Sequence, residues 1–129
     1  MIDESEIIQL QNFIHSLNSK KDSIVIVEGK RDTSALQKLG YSGNICEFHS
    51  FKGLARFADS VSHYKNLIVL FDGDRKGKYL TSKLISQLEH RTRIDLSFKK
   101  KLVSITKGKI RYIEDLSKYV TRDRFTAIL

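Results

Sequence analysis

Two apolar segments of this chain each end in carboxylate side chains. Residues 67–71 are uniformly apolar and run directly into Asp72-Gly73-Asp74, and residues 24–27 run into Glu28. Short apolar runs that are rich in β-branched residues and bounded by turn residues are typical of central strands in a parallel sheet with helices on both faces. Because ligands of open parallel sheets bind at the carboxyl ends of the strands, the sequence predicts that these three acids gather at one edge of a sheet.

The spacing of these acids suits a hard divalent cation. Mg²⁺ prefers oxygen ligands, keeps several waters, and is usually held by one or two carboxylates together with substrate phosphates. Alternate strand residues share a face, so Asp72 and Asp74 project the same way while the strand persists, and Gly73 lets a substrate approach the backbone. Glu28 adds a carboxylate from a separate element, and such a cluster repels itself unless a cation binds. We therefore expect Mg²⁺, with Mn²⁺ as a substitute, at Glu28, Asp72 and Asp74.

The basic residues are clustered behind the aspartate pair. The chain has 23 Lys and Arg against 15 Asp and Glu, a net charge of +8. Residues 75–111 contain twelve of the basic residues and, as acids, only Glu89 and Asp95. Positive charge next to a metal site favours a nucleic-acid partner, and a solvated lysine surface is the alternative explanation. The candidate nucleic-acid-binding side chains are Lys30, Arg31, Lys52, Arg75, Lys76, Lys78, Lys99, Lys100 and Lys101.

Other features of the composition exclude several classes of protein. Cys46 is the only cysteine, so an internal disulfide is impossible, and the four histidines lack the paired spacing of a structural zinc site. The first six residues are acidic and precede no continuous apolar run, unlike a secretory signal peptide. No apolar run reaches membrane-spanning length. We expect a cytoplasmic protein with no membrane partner.

Three other kinds of site use similar residues but fit this chain less well. A calcium loop that begins at Asp72 would place Lys76 and Lys83 at ligand positions, and a phosphate-binding glycine loop would need Ser or Thr where Tyr79 follows Lys78. A phosphoacceptor domain would carry clustered acids after its first strand, where Glu28 is instead followed by Gly29 and a lysine. Taken alone, Asp-Gly is also a turn signal.

The pattern of elements predicts one α/β domain over residues 1–129. Apolar residues at helical spacing predict an added N-terminal helix over residues 4–18. Strands at about 24–27, 45–48 and 67–71 then alternate with helices, the first of them capped by Asp32 or Thr33, the second over about 51–64 and the third from Gly77. After residue 92 we expect a short edge strand at 93–96, a helix or strand over 98–105, and a final helix over 113–119. The predicted architecture is a three-layer sandwich around a mostly parallel four-stranded sheet with right-handed crossovers.

The two acidic motifs together resemble a known module. An apolar strand that ends in Glu28-Gly29-Lys30-Arg31-Asp32, followed by one that ends in Asp72-Gly73-Asp74-Arg75-Lys76-Gly77, is similar to the Toprim domain. That module is shared by topoisomerases, bacterial-type primases, recombination mediators and several nucleases. The resemblance covers about residues 22–92 and leaves a basic C-terminal extension over 93–129. The first motif looks closest to small stand-alone Toprim proteins and ribosomal-RNA maturation nucleases.

The resemblance implies a Rossmann-like fold and specific roles. Glu28 would act as general acid or base, Asp72 and Asp74 would hold magnesium, and Lys30 would join them in the catalytic site. Many topoisomerase motifs carry a further acid where this chain has Lys76, so one metal is expected rather than two. The implied activity is magnesium-dependent phosphoryl transfer on RNA or DNA, most plausibly as a nuclease. The alternative is a non-catalytic metal- and nucleic-acid-binding module that works in a larger complex, with a protein partner supplying further domains.

Overall fold

The computed structural model describes residues 3–120, without the side chain of residue 120. The predicted C-terminal extension therefore lies outside the described residues from position 121 onward. The helices are α1 (Glu4–Asn18), α2 (Lys30–Lys38), α3 (Leu54–Val61), α4 (Arg75–Leu88), α5 (Ser97–Ile105) and α6 (Ser117–Val120). The strands are β1 (Ser23–Val27), β2 (Ile45–Glu47), β3 (Asn66–Val69) and β4 (Arg93–Asp95). Short 3-10 segments occupy Phe48–Ser50 and Ile113–Leu116.

The four strands form one parallel sheet in the order β2-β1-β3-β4. Val25 of β1 lies between Ile45 of β2 and Ile68 of β3, and Ile68 in turn pairs with Asp95 of β4. The two strands that end in carboxylates are therefore the central pair. This arrangement confirms the predicted α/β fold with a four-stranded parallel sheet and an N-terminal helix.

Helices cover both faces of the sheet and divide the core into two apolar layers. Val25 and Val27 pack into one layer with residues of α1, α2, α5 and α6, whereas Ile24 and Ile26 pack into the other with residues of α3 and α4. Both faces of the central strands are buried, which explains why their sequences are continuously apolar rather than alternating. None of the helices within residues 3–120 has the length and apolar character needed to cross a bilayer.

Several boundaries differ from those that the sequence predicts. The expected cap of α2 was Asp32 or Thr33, but the helix begins earlier, after Gly29, and the Asp32 carboxylate instead accepts a hydrogen bond from the Gly29 N–H at 3.1 Å. A carboxylate at the third helical position reaches back in this way in a capping box. The helix predicted over 51–64 begins only after Gly53, whose φ of 92° interrupts helical geometry. The alternative left open over 98–105 resolves as helix α5.

Candidate functional site

The three predicted acids lie at the carboxyl edge of the sheet, where β1 and β3 end side by side. The chain leaves β1 toward β2 on one side and later returns to β3 on the other side. The gap between β1 and β3 is therefore the topological switch point of the sheet, the position where open α/β sheets bind their ligands. Glu28 follows β1 and Asp72 follows β3, so both acidic motifs flank this gap.

Glu28 joins the two motifs through a direct hydrogen bond. Its side chain is buried, with 5% exposure, and its Oε2 accepts a hydrogen bond from the Asp72 N–H at 2.8 Å. Its Oε1 lies 3.7 Å from Nε2 of His49, a half-exposed residue of the 3-10 segment that follows β2. Because one carboxylate oxygen binds the main chain of the other motif, the position of Glu28 is set by the fold.

The two aspartates are each held by one carboxylate oxygen. Oδ1 of Asp72 accepts the Ile113 N–H at 2.8 Å, and Oδ1 of Asp74 accepts the Gly77 N–H at 2.8 Å as the N-cap of α4. No N–H or O–H donor within residues 3–120 reaches their Oδ2 atoms, and the Asp72 carboxylate lies within side-chain hydrogen-bonding range of Glu28. Both side chains are only partly buried. Each aspartate thus has an anchored oxygen and a second oxygen that is available to a ligand.

Close backbone packing holds the Asp72-Gly73 turn in place. A Cβ atom added to Gly77 would lie 2.0 Å from the Asp72 carbonyl oxygen, so only glycine fits there. On the other side, the Gly73 N–H donates to the Arg111 carbonyl at 2.6 Å. Together with the hydrogen bond from the Ile113 N–H to Asp72, this contact joins residues 111–113 to the turn. No local signal in the sequence predicted these two hydrogen bonds.

The structure adds Asp32 to the acidic cluster. Asp32 is 6% exposed, and burial raises the pKa of its carboxyl, assisted by the charge of Asp72 and opposed by the hydrogen bond from Gly29. Burial likewise raises the pKa of Glu28, with the charges of Asp72 and Asp74 adding to the effect and the Asp72 N–H opposing it. The edge of the sheet therefore concentrates more negative charge than the sequence alone had indicated.

Lys99, on α5, is the lysine whose charge is coupled to this cluster. Burial lowers the pKa of its ammonium group, and the charges of Asp72, Glu28, Asp32 and Asp74 oppose that shift in this order of size. The sequence predicted Lys99 as a phosphate-binding residue of a basic surface. In the structure it is only partly exposed and lines a cavity together with Asp72.

The other predicted basic residues divide into three groups. Lys30 and Arg31 line a shallow pocket with Glu28 and Asp72, and Arg31 also lies 3.9 Å from Glu114. Lys78 and Lys100 line the cavity beside Asp72, together with Arg111, which the sequence analysis had not selected. The remaining candidates are exposed and line neither of these two pockets: Lys52, Arg75, Lys76 and Lys101.

The donor set fits a single hard cation at the aspartate pair. Within residues 3–120, no three His, Cys, Asp or Glu side chains converge as a ready-made metal cluster. Two carboxylates are nevertheless the usual protein contribution to a magnesium site, and Asp72 and Asp74 each offer one oxygen. Glu28 lies beside them with Oε2 already engaged by the Asp72 N–H.

Comparisons with known proteins agree with this fold. The Toprim domain model matches residues 23–114. A UPF0292 protein of Thermococcus sibiricus is 41% identical over 96 residues, which cover 74% of this chain and 75% of that protein. A UPF0292 protein of Archaeoglobus fulgidus is 33% identical over 109 residues, which cover 82% of this chain and 85% of that one. A solved structure of a putative protein from Aquifex aeolicus superposes with a TM-score of 0.69 at 28% identity and covers 82% of this chain and 96% of that chain.

These matches define the class of protein first. The fold is that of a Toprim domain, which is generally a metal-binding module of nucleic-acid processing. The chain belongs to the UPF0292 family of Toprim-domain proteins.

Proposed function

We propose that this protein is a magnesium-dependent phosphodiester hydrolase that acts on nucleic acid. The observation that carries the proposal is the hydrogen bond between the buried Glu28 carboxylate and the Asp72 main chain, which holds a potential proton-transfer group against the aspartate pair. Basic side chains approach the same edge from α2, α4 and α5. A site that combines two carboxylates, a third acid and flanking cations suits phosphate chemistry.

In this proposal the acidic and basic residues have separate roles in hydrolysis. Asp72 and Asp74 would hold Mg²⁺, which supplies charge stabilisation for the phosphate and the leaving oxygen. Glu28 transfers a proton while water adds to phosphorus and the bond to the leaving oxygen breaks. Lys30, Arg31 and Lys99 bind the flanking phosphates. The net charge of the site approaches zero when the acidic residues, the cations and the substrate phosphate are counted together. The acidic residues alone leave it strongly negative.

A second candidate is a module that binds metal and nucleic acid without turnover, within a complex whose partner supplies further domains. Two observations favour it: Lys76 stands two residues after Asp74 where a further acid would strengthen metal binding, and no three-ligand cluster is preformed within residues 3–120. Under either proposal the protein acts in the cytoplasm, where the buried thiol of Cys46 remains reduced.

Metal binding is tested first, because both proposals require it. Isothermal titration of Mg²⁺ and Mn²⁺ into the wild type should give saturable binding, and Asp72→Asn with Asp74→Asn should abolish it. Asp59→Asn is the matched control, since Asp59 is an exposed aspartate of α3 that belongs to neither acidic motif. Equal affinity in the wild type and the double variant would refute the site.

Turnover then separates the two proposals. Purified protein is incubated with Mg²⁺ and labelled single-stranded, duplex and hairpin RNA and DNA, and products are resolved on denaturing gels. We expect metal-dependent cleavage that EDTA stops and that the double variant lacks. Metal-dependent binding without cleavage of any substrate would leave the non-catalytic module as the function.

A further inference from the structure

A cavity of about 460 Å³ adjoins Asp72, and Glu28 is not among the described residues that line it. Its volume lies within the range of about 300–1,000 Å³ that small-ligand sites occupy. It is lined by Asp72 and Gly73, by residues of α4 and α5, and by Gly108, Ile110 and Arg111.

The interior of this cavity is apolar. Val69 and Phe71 contribute from the segment that runs through β3 into the site, and Leu96, Val103 and Ile110 contribute from the opposite side. Val103 is 41% exposed, so its side chain gives this wall an accessible apolar surface.

The same cavity carries positive charge from four side chains: Lys78, Lys99, Lys100 and Arg111. Three of them are exposed and can reach a bound anion, and the fourth, Lys99, is coupled to the acidic cluster. A ligand that fits must therefore combine a flat or compact apolar part with at least one anionic group. A nucleotide has this chemistry, since its base has apolar faces and its phosphate is charged.

We propose that this cavity receives the base of one unpaired nucleotide next to the phosphate held at the Asp72–Asp74 edge. The inference rests on the nucleic-acid substrate of the proposed function and names its class as single-stranded or locally unpaired. A base inside a duplex is stacked between its neighbours and cannot enter, whereas an unpaired base is free to turn into the apolar interior. The phosphate of the same nucleotide then lies among the four cations.

The cavity accepts different bases rather than reading one. Among the described residues that line the cavity, Thr81 has the only neutral polar side chain, and its hydroxyl already donates to the Gly77 carbonyl at 2.8 Å. Apolar contact tolerates any base because every base has an apolar face, whereas discrimination requires hydrogen bonds to base edges. We therefore expect selection for an unpaired nucleotide with little sequence preference.

Equilibrium binding tests the proposal independently of turnover. Fluorescence polarisation in Ca²⁺ compares a short labelled single strand, the same strand in a duplex, and a strand of equal length built wholly of abasic residues. The abasic strand keeps every phosphate and loses every base. We expect the single strand to bind at least about fivefold more tightly than either of the others, as the loss of one base contact predicts.

Two variants test whether the tighter binding of the intact single strand depends on the cavity. Val103→Trp fills the cavity from an exposed position, so it should reduce binding of the intact strand to the level of the abasic strand and leave abasic binding unchanged. Ile8→Trp, at the 56% exposed Ile8 of α1, places the same bulk outside the cavity lining and should change neither. Methyl resonances of Val103 and Ile110 should shift with a nucleoside 5′-monophosphate but not with inorganic phosphate.

The outcomes separate this inference from the proposed function. Equal affinity for the intact and abasic strands, no binding at all, or an unaltered single-strand preference in Val103→Trp overturns the base-binding cavity. If the preference is present and depends on Val103 but no substrate is cleaved in Mg²⁺, the cavity stands and the nuclease proposal fails. If cleavage occurs and duplex is bound as tightly as single strand, the nuclease proposal stands and the base-binding cavity fails.

Discussion

Glu6 and Glu28 are both buried, at 2% and 5% exposure, yet their surroundings are opposite. Glu6 accepts hydrogen bonds from Nζ of Lys109 at 2.5 Å and from Oη of Tyr119 at 2.8 Å. The Lys109 hydrogen bond lowers the pKa of Glu6, assisted by Tyr119 and opposed by burial. Glu28 instead faces the carboxylates of Asp72 and Asp74, and burial together with their charges raises its pKa.

Under the proposed function, Glu6 is a structural carboxylate and Glu28 is a functional one. A buried charge is costly unless a partner offsets it, and Glu6 has that partner within the fold. Glu28 lies among like charges, which is unfavourable until a cation or a proton arrives. Carboxylates in such surroundings are found mainly where the site performs chemistry. If the proposed function is right, changes at Glu28 should affect turnover, and changes at Glu6 should affect stability.

The largest expected effect is on turnover at Glu28. Glu28→Gln keeps the shape and can still accept the Asp72 N–H, but it cannot transfer a proton. The cleavage rate should fall by about a hundredfold or more, as the loss of general acid-base catalysis typically does. Single-turnover cleavage at saturating protein measures this rate. Glu47→Gln is the matched control, because Glu47 ends the neighbouring strand β2 and its carboxylate accepts a hydrogen bond from the Thr33 hydroxyl; equal losses in both variants would contradict the role assigned to Glu28.

At Glu6 we expect a substitution to reduce stability more than turnover. Glu6→Gln removes the charge that holds Lys109, so the free energy of unfolding should fall by about 1.5–3 kcal/mol, the range for hydrogen bonds to charged groups. The cleavage rate of the folded protein should change less than in Glu28→Gln. Urea denaturation measures stability, and Glu89→Gln on the exposed end of α4 serves as the control. No loss of stability at Glu6 would remove the distinction between the two residues.

The pH dependence of stability should differ in sign between the two glutamates. The lowered pKa of Glu6 gives stability that is present above the ordinary glutamate pKa of about 4.3 and is lost as pH falls through the lowered value. The raised pKa of Glu28 gives the reverse: its contribution is present below about pH 4.3 and is lost as pH rises through the raised value.

Urea denaturation in EDTA across this range tests both signs. The deficit of Glu6→Gln relative to wild type should shrink toward acid pH, whereas Glu28→Gln should gain stability relative to wild type as pH rises. Each unit of pKa shift corresponds to about 1.4 kcal/mol. Parallel pH profiles of the two variants would show that the two carboxyls titrate alike.

The smallest expected effect concerns Lys99, a lysine that interacts with the acidic cluster around Glu28 as Lys109 interacts with Glu6. Lys99→Met removes a positive charge that competes with a cation for the acidic cluster, so Mg²⁺ affinity should rise by up to about fivefold, the equivalent of about 1 kcal/mol. Oligonucleotide affinity should fall in the same variant. Lys101→Met, an exposed position on the same helix, should leave Mg²⁺ affinity unaltered in calorimetry. A weaker affinity for Mg²⁺ in Lys99→Met would show that the lysine supports the metal site rather than opposing it.

The central strands and the position of the acids could be predicted because their signals are local. Continuous apolar runs before Glu28 and Asp72 predict buried parallel strands, and strands of that kind end at the same edge. The helical periodicity of residues 4–18 is similarly local, and α1 occupies those residues. The cap of α2 failed as a prediction because Asp is a good residue both at the cap and at the third helical position, and spacing alone does not separate the two.

The rest of the site depends on contacts between distant parts of the chain. The Ile113 N–H donates to Asp72, which lies 41 positions earlier in the sequence, and no residue near either position predicts this hydrogen bond. The orientation of Lys99 depends on how α5 packs on α1, where Phe98 meets Phe13 edge to face at 5.7 Å. The partly buried Lys99 was therefore indistinguishable in sequence from the exposed Lys101.

The bonds around Glu6 also bear on when the protein becomes active. Glu6 is joined to Lys109 and Tyr119 across 103 and 113 positions, and Ile113, whose N–H completes Asp72, lies between those two partners. Contacts of such large sequence separation form late in folding, since they close the longest loops. During synthesis, α1 emerges before the rest of the described chain, so Glu6 meets Lys109 only after nearly all of that chain has been made. We therefore expect nascent chains to acquire the sheet before residues 109–119 pack on α1, and under the proposed function nucleic-acid chemistry is delayed until residue 119 has left the ribosome.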